Sequence, residues 1–169
     1  MMIHVERNFL ELRDLKNLKV NLANKSNFLV KKIKPDFQLN KFFYKQVGKK
    51  YRWIDRLSWP DEKWIEYISN KNLETYVISI SKDLVGFFEL LYNPQLKETE
   101  ISYFGLLEEY IGKGIGGHAL SEAIKKSFDK DINRVWLHTC TLDHPNALKN
   151  YTARGMTIFR KENINILDN

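Results

Sequence analysis

The chain has 169 residues, 43% hydrophobic and 13% aromatic, with a formal net charge of +6 and a pI near 9.3. That length and composition describe one folded domain with a real core and exclude a disordered or fibrous chain. No apolar run reaches the roughly 18 residues of a membrane helix, and the N-terminal MMIHVERNFLELRD carries charges where a secretion signal needs an apolar stretch.

A single cysteine, Cys140, leaves no intrachain disulfide to form, and the expected location is cytoplasmic. The basic balance raises nucleic acid as a partner. The lysines, however, are dispersed, with only short clusters at Lys31-Lys32-Ile33-Lys34 and Lys49-Lys50-Tyr51-Arg52. No nucleic-acid partner and no membrane are expected, and a basic surface equally suits a ligand carrying several phosphates.

In chain order, residues 1–26 read as an N-terminal extension packing on a domain of residues 27–169. Leu10, Leu12, Leu15, Leu18 and Leu22 suggest a helical stripe within it. FLVKKI then alternates as a first strand ended by Pro35. A helix is expected from Phe37 to Val47, with Phe42 or Phe43 inward and Gly48 as its stop, and Pro60 opens a second helix, DEKWIEYISN. Two strands follow, LETYVISI and LVGFFELL, divided at Lys82-Asp83, and Asn93-Pro94 turns the chain into a third around Ile101 to Phe104. The order αα, β-meander, α, β, α, β predicts an α+β fold, a sheet layered by helices.

The third strand breaks at Gly112, Gly114, Gly116 and Gly117, and behind them Ile115, Ala119, Leu120, Ala123, Ile124 and Phe128 recur at helical spacing. Strand, glycine turn and helix together hold phosphate. The first amides of a helix lack internal partners, its dipole is positive at that end, and glycine lets a ligand reach the backbone. Gly112-Lys113-Gly114-Ile115-Gly116-Gly117 also satisfies the dinucleotide fingerprint. The next strand, Arg134 to Cys140, ends without the acid that a ribose hydroxyl requires, and no second βαβ half follows. The polar cluster His138, Cys140, Asp143 and His144 lacks a second ligand pair, and no metal is expected there.

Two motifs lie in order along the chain. Ile111-Gly112-Lys113-Gly114-Ile115-Gly116 resembles the acetyl-CoA pyrophosphate loop of the GNAT N-acetyltransferases, with Ile111 in place of the usual Gln or Arg. Asn146 to Met156, NALKNYTARGM, resembles that family's Ala-x-x-x-Tyr-x-x-x-Gly-Phe helix and strand. Similarity to a bacterial branch extends through YRWIDRLSW, VGFFEL, EISYFGL and HTCTLDHPNALKNY. Glu108 stands where the family often has proline.

The resemblance implies a mixed, mostly antiparallel twisted sheet with helices on both faces and a splayed central strand pair. It implies acetyl-CoA as cosubstrate and a small-molecule or peptide amine as acceptor, with direct transfer in a ternary complex. A homodimer is compatible with it. Ile111, Gly112, Lys113, Gly114, Ile115, Gly116, Gly117 and Asn146 would hold the coenzyme, and the main-chain N–H of Leu106 would polarise the acetyl carbonyl.

An ammonium cannot attack a thioester, so a base is needed. Glu100 and then Glu89 are the candidates, because a hairpin about Asn93–Leu96 would make them cross-strand neighbours that raise one another's pKa. Tyr151, at the family's tyrosine position, would protonate the departing thiolate. Trp53, Asp55, Arg56 and His138 would line the acceptor side, although Trp53 and Trp59 also suit core packing and Asp55 and Arg56 can pair with each other. A non-catalytic acyl-CoA-binding module of the same fold is the alternative.

Overall fold

The computed structural model describes residues 2–167. Its elements are β1 (Met2–Leu12), β2 (Phe28–Lys32), α1 (Phe37–Gly48), α2 (Asp61–Ile68), β3 (Leu73–Ile80), β4 (Asp83–Asn93) and β5 (Glu98–Leu106), then α3 (Gly116–Ser127), β6 (Arg134–Cys140), α4 (Ala147–Ala153) and β7 (Thr157–Leu167). Among the described residues the strands form one sheet in the order β2-β3-β4-β5-β6-β1-β7. Every neighbouring pair is antiparallel except β5 and β6, which are parallel. This is the α+β, mixed and mostly antiparallel arrangement that the sequence predicts.

The run Val85 to Leu90 in β4 is buried without a break because helices lie on both faces there. On one face Phe88, Leu90 and Ile101 meet Ala119, Leu120, Ala123 and Ile124 of α3, with Tyr151 of α4 and Met156. On the other, Val77 and Phe87 meet Phe43 and Val47 of α1. Asp36 caps α1, its carboxylate accepting from the N–H groups of Gln38 and Leu39. Of the two phenylalanines, Phe43 is buried and Phe42 is exposed. Gly48 is the last residue of α1, and any Cβ there would collide with the Trp53 side chain.

The helical stripe expected within residues 10–22 is corrected. Residues 2–12 form a strand inside the sheet, paired with β6 from Arg7↔Cys140 to Leu12↔Val135 and with β7 from Met2↔Leu167 to Glu11↔Thr157. Leu10 and Leu12 both enter the core, two residues apart, which is a strand spacing. Residues 13–27 then cross the α3–α4 face as a strap to reach β2 at the far edge. Lys19 N–H donates to the Arg154 carbonyl, Asn21 N–H to Ser121 Oγ and Ala23 N–H to His118 Nδ1. Phe28 stacks on the His118 ring at 3.9 Å.

Two irregularities shape the centre of the sheet. The parallel pairing of β5 with β6 stops at Glu98↔Arg134, Thr99↔Val135 and Glu100↔Trp136, and beyond these rungs the strands part. This is the splayed pair. The β4–β5 hairpin turns on Asn93, whose Oδ1 accepts from the N–H groups of Gln95 and Leu96, and opens at Asn93↔Glu98. Its register places Leu91 opposite Glu100, then shifts between Glu89 and Leu90, leaving Ser102 as a bulge and Tyr103 opposite Glu89. The expected cross-strand pairing of Glu89 with Glu100 is therefore corrected. The hairpin closes later than a tight turn at Leu96 would, and the bulge adds one more residue of offset.

Candidate active site

The place where β5 and β6 part is a slot through the sheet, and the predicted residues can be located around it. At its mouth stands Glu100, in the last paired rung, opposite Trp136. Opposite residues of an antiparallel pair share a face, so Glu100 lies with Leu91 and Glu89 on the side of α1 and α2. Its carboxyl is largely buried, and no described residue gives either oxygen a hydrogen bond or ion pair. Burial raises its pKa from the usual carboxylate value, opposed by the charge of Arg56 and assisted by that of Glu98.

Glu89 is in the contrary situation. It is 1% exposed, yet both its oxygens are taken. Oε1 accepts from Asn40 Nδ2 at 2.8 Å and Oε2 from the Tyr67 hydroxyl at 2.5 Å. Arg56 Nη1 lies 3.5 Å from Oε2, and Asn40 Nδ2 also donates to Thr75 Oγ1. At that burial neither oxygen is turned to solvent.

Arg56, expected to line the acceptor side, is buried. It pairs with Glu89 rather than Asp55, and its guanidinium is boxed by rings of its own chain. Tyr67 and Tyr103 lie at 4.0 and 4.2 Å, with Trp59, Tyr44 and Trp64 at 4.9, 5.7 and 5.8 Å. The main-chain N–H of Arg56 donates to the Tyr44 hydroxyl. Burial works against its charge, but Tyr67, Glu89 and Tyr103 more than offset that and raise its pKa. Trp53 packs beside Phe87 and Tyr103 as part of this wall, with its ring over Gly105. Asp55 is exposed at the rim.

His138 is exposed on β6, on the same face as Trp136 and beside the Phe9 ring of β1 at 5.5 Å. Cys140 is half-buried, and burial raises its thiol pKa, so it is held as the unreactive thiol. Asp143 is committed to the loop, accepting from Thr139 Oγ1 and from Cys140 N–H. Among the described residues no group of three or more His, Cys, Asp or Glu side chains is arranged to hold a metal, and no helix is long and apolar enough to cross a membrane.

On the opposite face of the sheet, the chain leaves β5 through a short 3-10 turn, Glu108–Tyr110, into the glycine loop. Glu108 ties this turn to the end of α1 through ion pairs with Lys49 and Lys50, which gives a structural use for an acid at that position. Gly112 and Gly114 adopt φ of +78° and +73°, and a Cβ on either would meet nothing within 4 Å. Their conformations need glycine, while the space above them is open for a ligand. Gly116 opens α3. Ile115 precedes it with no side-chain cap, and the first turn holds no acid, so its leading N–H groups and positive dipole face the loop. Lys113 is exposed on the loop. A phosphate fits this cradle. Ile111 offers no side-chain donor to it.

Leu107 N–H donates to the Val85 carbonyl. By the alternation of an antiparallel ladder, the N–H of Leu106 turns away from β4, toward the edge that β6 has left. Tyr151 on α4 is buried in the core of this face, and burial, with a smaller effect from Asp143, raises its phenol well above the usual value. Asn146 precedes α4 and is exposed, with no hydrogen bond from its side chain into the helix. Asn40 and Tyr67 had no local signal in the sequence, because their shared partner Glu89 comes from another element.

The sequence profile described as the Acetyltransferase (GNAT) family matches residues 38–156. Among solved structures, a GCN5-related N-acetyltransferase from Sphaerobacter thermophilus aligns with a TM-score of 0.74 at 13% identity, over 95% of this chain and 50% of that one. One from Kribbella flavida aligns with a TM-score of 0.66 at 15% identity, over 97% of this chain and 58% of that one. An aminoglycoside acetyltransferase from an uncultured soil metagenomic sample gives 0.61 at 15%, over 76% of this chain and 87% of that one. At such identities the likeness is one of fold, and the chain spans about half the length of the first two structures. No curated protein matches the chain. The profile match extends over most of the chain and includes both motifs and the splayed strands: the chain belongs to the GNAT acetyltransferase family.

Proposed function

We propose that this chain transfers an acetyl group from acetyl-CoA directly to an amine acceptor, both being bound at once. The observation that supports the reading is an open glycine turn before α3 on one face of the sheet and, where β5 and β6 part, an unpartnered, largely buried carboxylate on the other. The coenzyme supplies an activated acetyl thioester. The amides from Gly112 to Gly117, with Lys113, hold its phosphates, and Asn146 binds along the pantetheine.

Leu106 N–H points to the slot and donates to the acetyl carbonyl oxygen as negative charge develops there. Glu100 removes the proton from the acceptor amine. A carboxyl whose pKa is lifted by burial is a stronger base than a solvated one, and it stands on the acceptor side. Tyr151, on the coenzyme side, keeps its proton at any working pH and gives it to the leaving thiolate. His138 and Asp55 border the acceptor, while Trp53 and Arg56 build the wall that shapes its entrance. The aminoglycoside acetyltransferase among the fold relatives supports including aminoglycosides among the acceptors to be tried.

Thiol release from acetyl-CoA, measured against a panel of small amines, aminoglycosides and peptide N-termini, tests the proposal. Amine-dependent release with an acetylated product is expected. Coenzyme binding with no amine-dependent release across the panel would favour the non-catalytic module.

A further inference from the structure

We propose that Arg154 binds a phosphate group of the coenzyme, supplying the side-chain contact that Ile111 does not. The inference rests on the reading of the α3 N-terminus as the coenzyme cradle. Arg154 ends α4, its N–H donating to the carbonyls of Asn150 and Tyr151. Its side chain turns back onto α3, where a Cβ on Gly117 would collide with Arg154 Nη1. The glycines of the loop therefore divide in purpose. Gly112 and Gly114 leave room for a ligand, whereas Gly117 leaves room for this guanidinium.

The electrostatics of that seat are unbalanced. Arg7 and Arg160 face Glu162, Arg13 faces Glu11, Arg56 faces Glu89, and Arg134 holds both Glu11 and Glu98. Arg154 has no acidic partner among the described residues, and its Nε is buried without a hydrogen bond. The first turn of α3 carries no acid either. A cation set at the positive end of a helix is repelled by the dipole, and burial lowers its pKa further. An anion at the helix start resolves both, and a phosphate accepts two parallel bonds from a guanidinium.

The seat is also fixed from outside. The strap's Lys19 N–H donates to the Arg154 carbonyl, and Asn21 packs against Gly117 beside the guanidinium. A side chain so held loses little freedom when it meets its ligand.

Calorimetric titration of coenzyme A and dephospho-coenzyme A, which lacks the ribose phosphate, into the wild type, Arg154→Gln and Arg154→Lys tests this. Arg154→Gln is expected to weaken coenzyme A binding by about tenfold to a hundredfold, as for a lost charge-assisted hydrogen bond. Its melting temperature without ligand should stay level or rise, because an uncompensated cation has gone. If dephospho-coenzyme A weakens equally, the bond is to the pyrophosphate; if it alone is unaffected, the bond is to the ribose phosphate. Equal coenzyme A affinity in wild type and Arg154→Gln would overturn the inference while leaving the proposed function intact. Absence of binding to the wild type would remove both. Should Arg154→Gln fail to fold, Arg154→Lys decides: the lost fork predicts binding weaker by several-fold, and unchanged affinity contradicts it.

Discussion

Arg56 and Glu89 form a buried ion pair, Nη1 to Oε2 at 3.5 Å, on the face of the sheet covered by α1 and α2. The pair ties the loop before α2 to the centre of β4, and Tyr67, Asn40 and Thr75 complete it.

Removing one partner leaves the other as an uncompensated buried charge. Glu89→Leu is expected to lower stability by about 3–5 kcal/mol, measured by urea unfolding with an unchanged slope. If Glu89 were instead the base, the fold would survive the change and only turnover would collapse.

Glu100 behaves in the opposite way. Its folded pKa is raised by burial above the usual 4.5, so the folded state binds its proton more tightly than the unfolded state. Stability contributed by that proton is present below the unfolded pKa and is lost as pH rises through the folded pKa. Glu100→Gln should therefore melt higher than the wild type at pH 7. The difference should vanish below about pH 4.5. Equal melting temperatures at neutral pH would mean the carboxyl is better solvated than its position indicates.

The cradle separates strain from ligand exclusion at one residue. Gly114 has φ of +73° with open space at the Cβ position, so Gly114→Ala should cost about 1–2 kcal/mol of backbone strain and still bind coenzyme. Gly114→Glu adds a carboxylate facing the phosphates and should abolish the thermal shift on adding acetyl-CoA. The same shift in both variants would place the phosphates elsewhere.

His118 links the strap to pH. Its Nδ1 accepts from Ala23 N–H, which only the unprotonated ring nitrogen can do. Burial lowers its pKa, with Glu122 opposing and Lys125 assisting. For a base with a depressed folded pKa, the stability is full above the unfolded value of about 6.5 and declines as pH falls below it. Hydrogen exchange at Ala23 should quicken more on moving from pH 7.5 to pH 5.5 in the wild type than in His118→Asn, once intrinsic rates are divided out. Identical pH dependence in the two would detach His118 from the strap.

Legibility in the sequence followed the range of the interactions. The glycine turn, the apolar face of α3 and the Asn93 turn are written in residues close together, and all three appear where the sequence places them. β1 reads as a helical stripe in the sequence because its pairing partners, β6 and β7, lie at the other end of the chain. The two-residue spacing of Leu10 and Leu12 was the available signal. The Glu89–Glu100 register failed first on the length of the turn, which opens at Asn93↔Glu98 and sets Glu100 opposite Leu91, and then on the bulge at Ser102. The ring box around Arg56 has no signal in the sequence, because it is assembled from α1, the following loop, α2 and β5, whose convergence no local pattern announces.

Glu100 is the proposed base at the slot between β5 and β6. Steady-state thiol release by the wild type and Glu100→Gln, with acetyl-CoA and an amine found active in the panel, tests it most directly. The account predicts a fall in kcat of about a hundredfold to ten-thousandfold, with unchanged acetyl-CoA affinity and recovery of part of the rate at high pH, where the amine is already neutral. Equal kcat in the two proteins at neutral pH would contradict it.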